Sequence, residues 1–453
     1  MHETIWFLVG GGVFAFMGIA AATFERLPCS AAMFYLAIGL GLGPPGIGLL
    51  HLDVIVDAGV LRIITEVALL VSLFAIGLRL RVPLFDALWA IPLRLGFVAM
   101  LVTVPLLTLF GVHALHLGWG PALLLAAILA PTDPVLAHDV QVQDSADVDL
   151  MRFSLSGEGG LNDGIALPFA LLGLALCANH NANFADVFTW TFIGSTLWGI
   201  FGAIATGGVL GWVTTHGVTW LRTRHAQALG LEAFFALGLI ELSYGIAQLA
   251  HTFGFLAVFA AGVSMRRVEH RASGGQSPRE TIGAVEAGDV TATAADPQKA
   301  HAFMAESVLG FTIELERIAE LAMMLIIGNV LATLHGPLFT WQSAALIAAL
   351  FLVVRPLAVE VSLVGSGASH PQRRLMSWFG IRGIGSFYYL TLALQEGRAN
   401  DVVPLIPFAL AVVTASVVVH GMSATPLMSW YRRARRPPRE PPAQTARQPP
   451  VYF

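Results

Sequence analysis

Windows of roughly 20 apolar residues, each able to cross about 30 Å of hydrocarbon as a helix, recur from Ile5 to Met428 with only short polar breaks. This recurrence predicts an all-α polytopic membrane protein. Thirteen such windows fall near residues 5–24, 30–48, 60–78, 88–110, 119–138, 152–176, 187–215, 229–249, 252–266, 306–333, 341–364, 374–394 and 402–430. With 56% apolar and only 12% charged residues, the chain is too greasy for an ordinary soluble domain. Its net charge of −4 says little alone, and nothing suggests nucleic acid.

The distribution of basic residues predicts an orientation, because cytoplasmic loops concentrate Lys and Arg. Arg79, Arg81, Arg222, Arg224, Arg266, Arg267, Arg373, Arg374 and the tail cluster Arg432, Arg433, Arg435 and Arg436 share one face; Arg62 and Arg398 lie on the other. An odd number of spans then places the N-terminus outside and the C-terminus in the cytoplasm, in the inner (plasma) membrane. The first window has an acidic residue before it and no small-residue cleavage site after it, which reads as a retained helix and not a signal peptide. The loop near 268–302, rich in Gly, Ala, Ser and Thr, is expected to be mobile, and the Arg/Pro-rich tail 431–453 disordered, with its basic residues able to touch membrane lipid. With so little sequence after the membrane part, no nucleotide-binding domain is expected there. Cys29 and Cys177 match no metal or redox spacing and read as apolar thiols.

Charges within spans cost about 2.5 to 3.5 kcal/mol each, so Glu66, Asp133, Glu158, Asp163, Glu241, Glu320, Arg355 and Arg382 are functional candidates. Three clusters stand out. Ala130-Pro131-Thr132-Asp133-Pro134 places two prolines in the middle of an apolar window, which predicts a broken helix. Two readings stand open there: a cation-lining break, or a proline kink with Asp133 serving as an N-cap. Gly157-Glu158-Gly159-Gly160-Leu161-Asn162-Asp163-Gly164 opens the next span, and its glycines predict close approach of a neighbouring helix. Glu158 lies five residues before Asp163, about 140° away on a helix, so Asp163 is expected to face a cavity and Glu158 a partner helix. In Trp378-Phe379-Gly380-Ile381-Arg382-Gly383-Ile384-Gly385-Ser386, three glycines around an arginine suggest a second interrupted helix. Arg382 needs an anion there, with Glu158 the best candidate, unless it snorkels to the interface. Glu320 and Arg355 read as packing-network residues, and Glu66 and Glu241 as facing a funnel or subunit interface. His113 and His116 lack the glutamate of an HExxH helix and read as a loop pair.

At these clusters the chain resembles the monovalent cation:proton antiporters, in the NhaP and sodium/proton exchanger branch. Ile318-Ala319-Glu320-Leu321 running into Ile327-Gly328, then Arg355-Pro356 and the Trp378 to Tyr389 segment, extend the resemblance over nearly the whole membrane part, 1–430. It implies about thirteen helices in inverted repeats, with two broken helices crossing at mid-membrane. An ion-translocating bundle at 88–176 and 341–430 would work against a dimerisation part at 1–80 and 187–333. Asp163 would bind proton or cation, Thr132 and Asp133 would complete the site, and Asn162 would hold it. Glu158 would pair with Arg382, and an Asn-Asp pair goes with electroneutral exchange. Na+ or K+ would be cargo at Asp163, Asp133 and Thr132; no cofactor is implied, and the assembly would be a homodimer. The chain departs from the family at Gly159, where members often carry a hydroxyl, and at Phe74-Ala75, where they often carry an acid. Both changes remove possible ligands.

The expected activity is therefore secondary antiport of a cytoplasmic monovalent cation, sodium first, against protons competing for Asp163. The alternatives are a K+/H+ antiporter or K+ efflux system and, from another class, a cation channel or uniporter. No metal or nucleophile constellation supports an intramembrane enzyme.

Overall fold

The structure, a computed structural model, describes residues 2–24, 29–83, 86–133, 136, 140–142, 147, 149–178, 184–225, 230–283, 290–334 and 336–434. These residues are helical or irregular, with no strand among them. Among the described residues, fourteen helices carry the fold. They are α1 (His2–Phe24), α2 (Ala31–Leu42), α3 (Ala58–Arg79), α4 (Ala87–His113), α5 (Trp119–Leu129), α6 (Leu150–Ala178) and α7 (Trp190–His225). Then follow α8 (Glu232–Leu249), α9 (Gly254–Ala272), α10 (Ala300–Thr333), α11 (Trp341–Ser362), α12 (His370–Trp378), α13 (Ile384–Glu396) and α14 (Ala399–Ala434).

A helix lies in each of the thirteen apolar windows, and the window 374–394 holds two, α12 and α13. Among the described residues, seven helices are long and apolar enough to cross a membrane: α3, α4, α6, α7, α8, α11 and α14. In α1, α2, α5 and α7 the apolar residues run round the helix and do not form a stripe, so position decides what each face meets. In α5 every residue from Ala122 to Leu129 is buried against α4 and α6. α7 is the opposite case: Trp190, Trp198, Phe201, Trp212 and Trp220 are all at least half exposed, an outward apolar face.

α6 is the hub, packed against α5, α9, α3 and α13. Its glycine run permits this, since a Cβ at Gly160 would strike the Phe259 ring and one at Gly164 would crowd Leu256, both on α9. α4 and α11 each contain a π-helical stretch, Arg94–Ala99 and Leu350–Val354.

In the segment read as a mobile loop, α9 continues to Ala272, and short helices form at Pro278–Ile282 and Val290–Ala295. Ser277 and Glu280 form a reciprocal capping box with Pro278 at the first helical position. Residues 284–289, Pro134 and the tail from 435 lie outside the described residues.

Candidate functional site: two helix breaks beside a buried carboxylate

α5 stops at Leu129, and Pro131, Thr132 and Asp133 follow in non-helical backbone, all buried. α12 stops at Trp378, and 379–383 is likewise non-helical before α13 begins at Ile384. The two breaks are joined. The Asp133 N–H donates to the Ile381 carbonyl at 2.8 Å, and the Ile384 N–H donates to Asp133 Oδ2 at 3.0 Å. Asp133 thereby occupies the N-terminus of α13, where unpaired N–H groups favour negative charge.

Arg382 takes the opposite ends. It is 1% exposed, and its Nε donates to the Leu129 carbonyl, at the C-terminus of α5, at 2.8 Å. A second guanidinium nitrogen donates to the Gly380 carbonyl, just past the end of α12, and the Arg382 N–H donates to Ser416 Oγ at 2.7 Å. The guanidinium therefore compensates carbonyls at two negative helix ends, and does not snorkel.

Asn162 and Asp163 approach the breaks from α6. Asn162 Nδ2 donates to Thr132 Oγ1 at 2.7 Å, tying α6 to the first break. Asp163 points to α13, where a Cβ at residue 385 would fall on its Oδ1, so glycine is required for this approach. Tyr389 donates its hydroxyl to the Asp163 carbonyl. Asp163 Oδ1, Asn162 Oδ1 and Ser386 Oγ are buried and have no hydrogen-bond partner among the described residues. A carboxylate removed from water without a donor or counter-charge is costly, a cost that a proton or a cation would relieve. Hydroxyl, amide and carboxylate oxygens are hard donors suited to an alkali cation.

Glu158 pairs with Arg355, where the sequence pattern pointed to Arg382. Both guanidinium Nη atoms of Arg355 donate to the carboxylate, one of them at 2.9 Å, and Arg355 Nη2 also donates to the Met376 carbonyl at 2.9 Å. The physical reason lies in α11: the π-helical stretch Leu350–Val354 widens the turn immediately before Arg355 and re-aims the side chains beyond it. Arg382, meanwhile, is committed to backbone carbonyls.

Further groups carry no strong signal in the sequence. His420 accompanies Ser416, its Nδ1 3.0 Å from Ser416 Oγ and its Nε2 3.1 Å from the Trp378 carbonyl. A Ser-His pair at i, i+4 inside an apolar helix is the signal that could have found them. Arg79 is buried and bonded to Glu316 and Gln141, so it is no simple loop charge, and Glu66 accepts from the Tyr244 hydroxyl. Glu241 is exposed.

Two breaks joined through Asp133, with opposite charges at their helix ends and a buried carboxylate beside them, mark a membrane protein that handles ions. Residues 12–430 match the sodium/hydrogen exchanger family in its transmembrane part, and the chain belongs to that family. Among curated relatives, the K(+)/H(+) antiporter NhaP2 of Shewanella sp. (strain ANA-3) is 25% identical over 424 residues, covering 93% of this chain and 66% of that protein. The K(+)/H(+) antiporter NhaP of Alkalimonas amylolytica is 23% identical over 435 residues, 94% of this chain and 66% of its own length. The Na(+)/H(+) antiporter NhaG of Bacillus atrophaeus is 25% identical over 321 residues, 69% of this chain and 53% of NhaG. The match thus spans about two thirds, or less, of these relatives' lengths. The sodium proton antiporter MjNhaP1 from Methanocaldococcus jannaschii, determined at pH 8, shares the fold, with a TM-score of 0.67 and 16% identity over 95% of this chain and 98% of that one.

Proposed function

We propose that the chain exchanges a monovalent cation for a proton at Asp163, one for one, the two competing for the same carboxylate. The observation that carries the reading is the buried Asp163 Oδ1 without a donor, set between the two breaks. Thr132, Asp133 and Asn162 complete the oxygen shell. Arg382, capping α5, and the Glu158–Arg355 pair hold the surrounding frame. Crossing is permitted only when proton or cation neutralises the site, which couples the two flows.

In this reading thirteen spans form two inverted repeats, beginning at α4 and α11, and the breaks meet at mid-membrane. The π-helical stretches in α4 and α11, and the breaks that follow each of them, support the repeat. The bundle 88–176 and 341–430 moves against 1–80 and 187–333, two copies associate through the latter part, and the N-terminus lies outside. Sodium is the cation expected from the sequence. A potassium reading is favoured by the names of the NhaP2 and NhaP relatives.

Everted vesicles acidified by respiration test the proposal. Sodium or potassium should dequench a pH-sensitive dye in vesicles holding the full chain, without a change in membrane potential, and Asp163→Asn should abolish the response. Cation-driven proton movement that survives Asp163→Asn overturns the assignment. Cation flux without proton movement would instead mark a channel or uniporter.

A further inference from the structure

A cavity of about 780 Å³ lies away from the carboxylates, along the seam between α7 and α9. On α7 its wall is Ile204, Gly208, Trp212 and His216. These residues recur every fourth position, so they form one stripe about 18 Å long at 1.5 Å per residue. A side chain at Gly208 would meet nothing within 4 Å, so the furrow is open along its length. Arg267 and Arg271, near the C-terminus of α9, and His301, at the start of α10, close one end. His216 joins them, its ring centroid 6.1 Å from that of His301 and 4.6 Å from that of Trp212.

The furrow is therefore amphipathic along its axis: apolar beside Ile204 and cationic beside Arg271. None of the described residues lining it is acidic. The neighbouring Glu269 is fully buried and engaged by Arg81 at 2.8 Å and by Arg266 at 3.3 Å. Its length slightly exceeds half of the about 30 Å of hydrocarbon, the depth of one leaflet. Trp212, 53% exposed, stands at the junction of the two halves, an arrangement suited to the membrane interface.

We propose that this furrow binds one anionic phospholipid, its phosphate held by Arg271 beside the histidine pair and one acyl chain lying over Gly208 toward Ile204. Guanidinium groups favour phosphate oxygens through charge-assisted hydrogen bonds, and the described residues of the wall include no carboxylate to serve a choline headgroup as counter-charge. The site is separate from the transport site, and the proposal holds whichever cation is carried.

Native mass spectrometry of the full chain, delipidated in detergent and then mixed with phosphatidylglycerol, phosphatidylcholine or inorganic phosphate, tests it. Phosphatidylglycerol should remain bound at about one per chain under activation that strips phosphatidylcholine. Arg271→Glu should weaken its retention about tenfold, the scale of one lost charge-assisted contact. Gly208→Phe should weaken it similarly by filling the chain-binding half. Arg271 is exposed, so its variant keeps the test decisive should Gly208→Phe fail to fold. Equal retention of both lipids, unchanged binding in Arg271→Glu, or displacement by millimolar inorganic phosphate overturns the lipid site. A disulfide between two copies of Trp212→Cys, with no lipid retained, would mean that a second copy fills the furrow and would also overturn it.

Discussion

Arg355 holds Glu158 through both terminal guanidinium nitrogens, and neither side chain is more than 3% exposed. A pair this deep cannot lose one partner cheaply. Glu158→Gln leaves a guanidinium buried without its counter-charge and should cost about 3–5 kcal/mol. The double variant Glu158→Gln/Arg355→Met should cost clearly less than the sum of the two single changes. Thermal unfolding in detergent measures all three, and additive losses would show that the two residues act separately.

Asp133 offers a sharper separation of roles. Asn at this position keeps an oxygen to accept the Ile384 N–H, whereas Ala leaves that donor without its partner. Asp133→Ala should therefore be less stable than Asp133→Asn by about 1 kcal/mol, the usual worth of an N-cap. Both should lose transport. Equal melting temperatures for the two variants would remove the capping role.

Gly385→Ala should abolish exchange while leaving the helix content intact, because the added methyl competes with Asp163 Oδ1 for one position. Gly245→Ala on α8, where a Cβ meets nothing within 4 Å, is the matched control and should transport like the parent. Vesicle transport assays beside far-UV circular dichroism decide it. An active Gly385→Ala variant would mean that Asp163 does not need this approach to α13.

His301 gives the chain a pH-dependent stability outside the membrane spans. Burial, and then the neighbouring His216, hold its imidazole below the ordinary value of 6.5. The folded state thus resists a proton that the unfolded chain accepts. Stability is complete above the unfolded value and is lost as pH falls through the lower folded value. His301→Asn should flatten the decline of melting temperature below about pH 6.5, measured without added lipid. An identical slope in the variant would place the titration elsewhere.

The helices were legible because spanning hydrocarbon leaves an unmistakable apolar length. The first break was legible in Pro131, and the second in Gly380 and Gly383, since both pairings of residue and context disfavour continuous helix. Glu158 and Asp163 could be sorted to different neighbours from their helical angle alone. The partner of Glu158 could not. Choosing Arg355 over Arg382 depends on a π-helical turn, which no periodicity announces, and on carbonyls exposed only once the helices have ended. Gln141, Glu316 and Arg79 were invisible for a related reason: their contact joins segments 62 and 237 positions apart.

The two hydrogen bonds through Asp133 have a mechanical meaning. One residue both donates to the second break and accepts from it, so the extended segments are clasped at a single point on either side of one Cα. Sliding either segment alone would break both bonds in a place where no water replaces them. The interruption of the helices is thus itself a firm joint, and compliance must reside at the borders of this clasped unit. An ion held there would travel with its ligands and not between them.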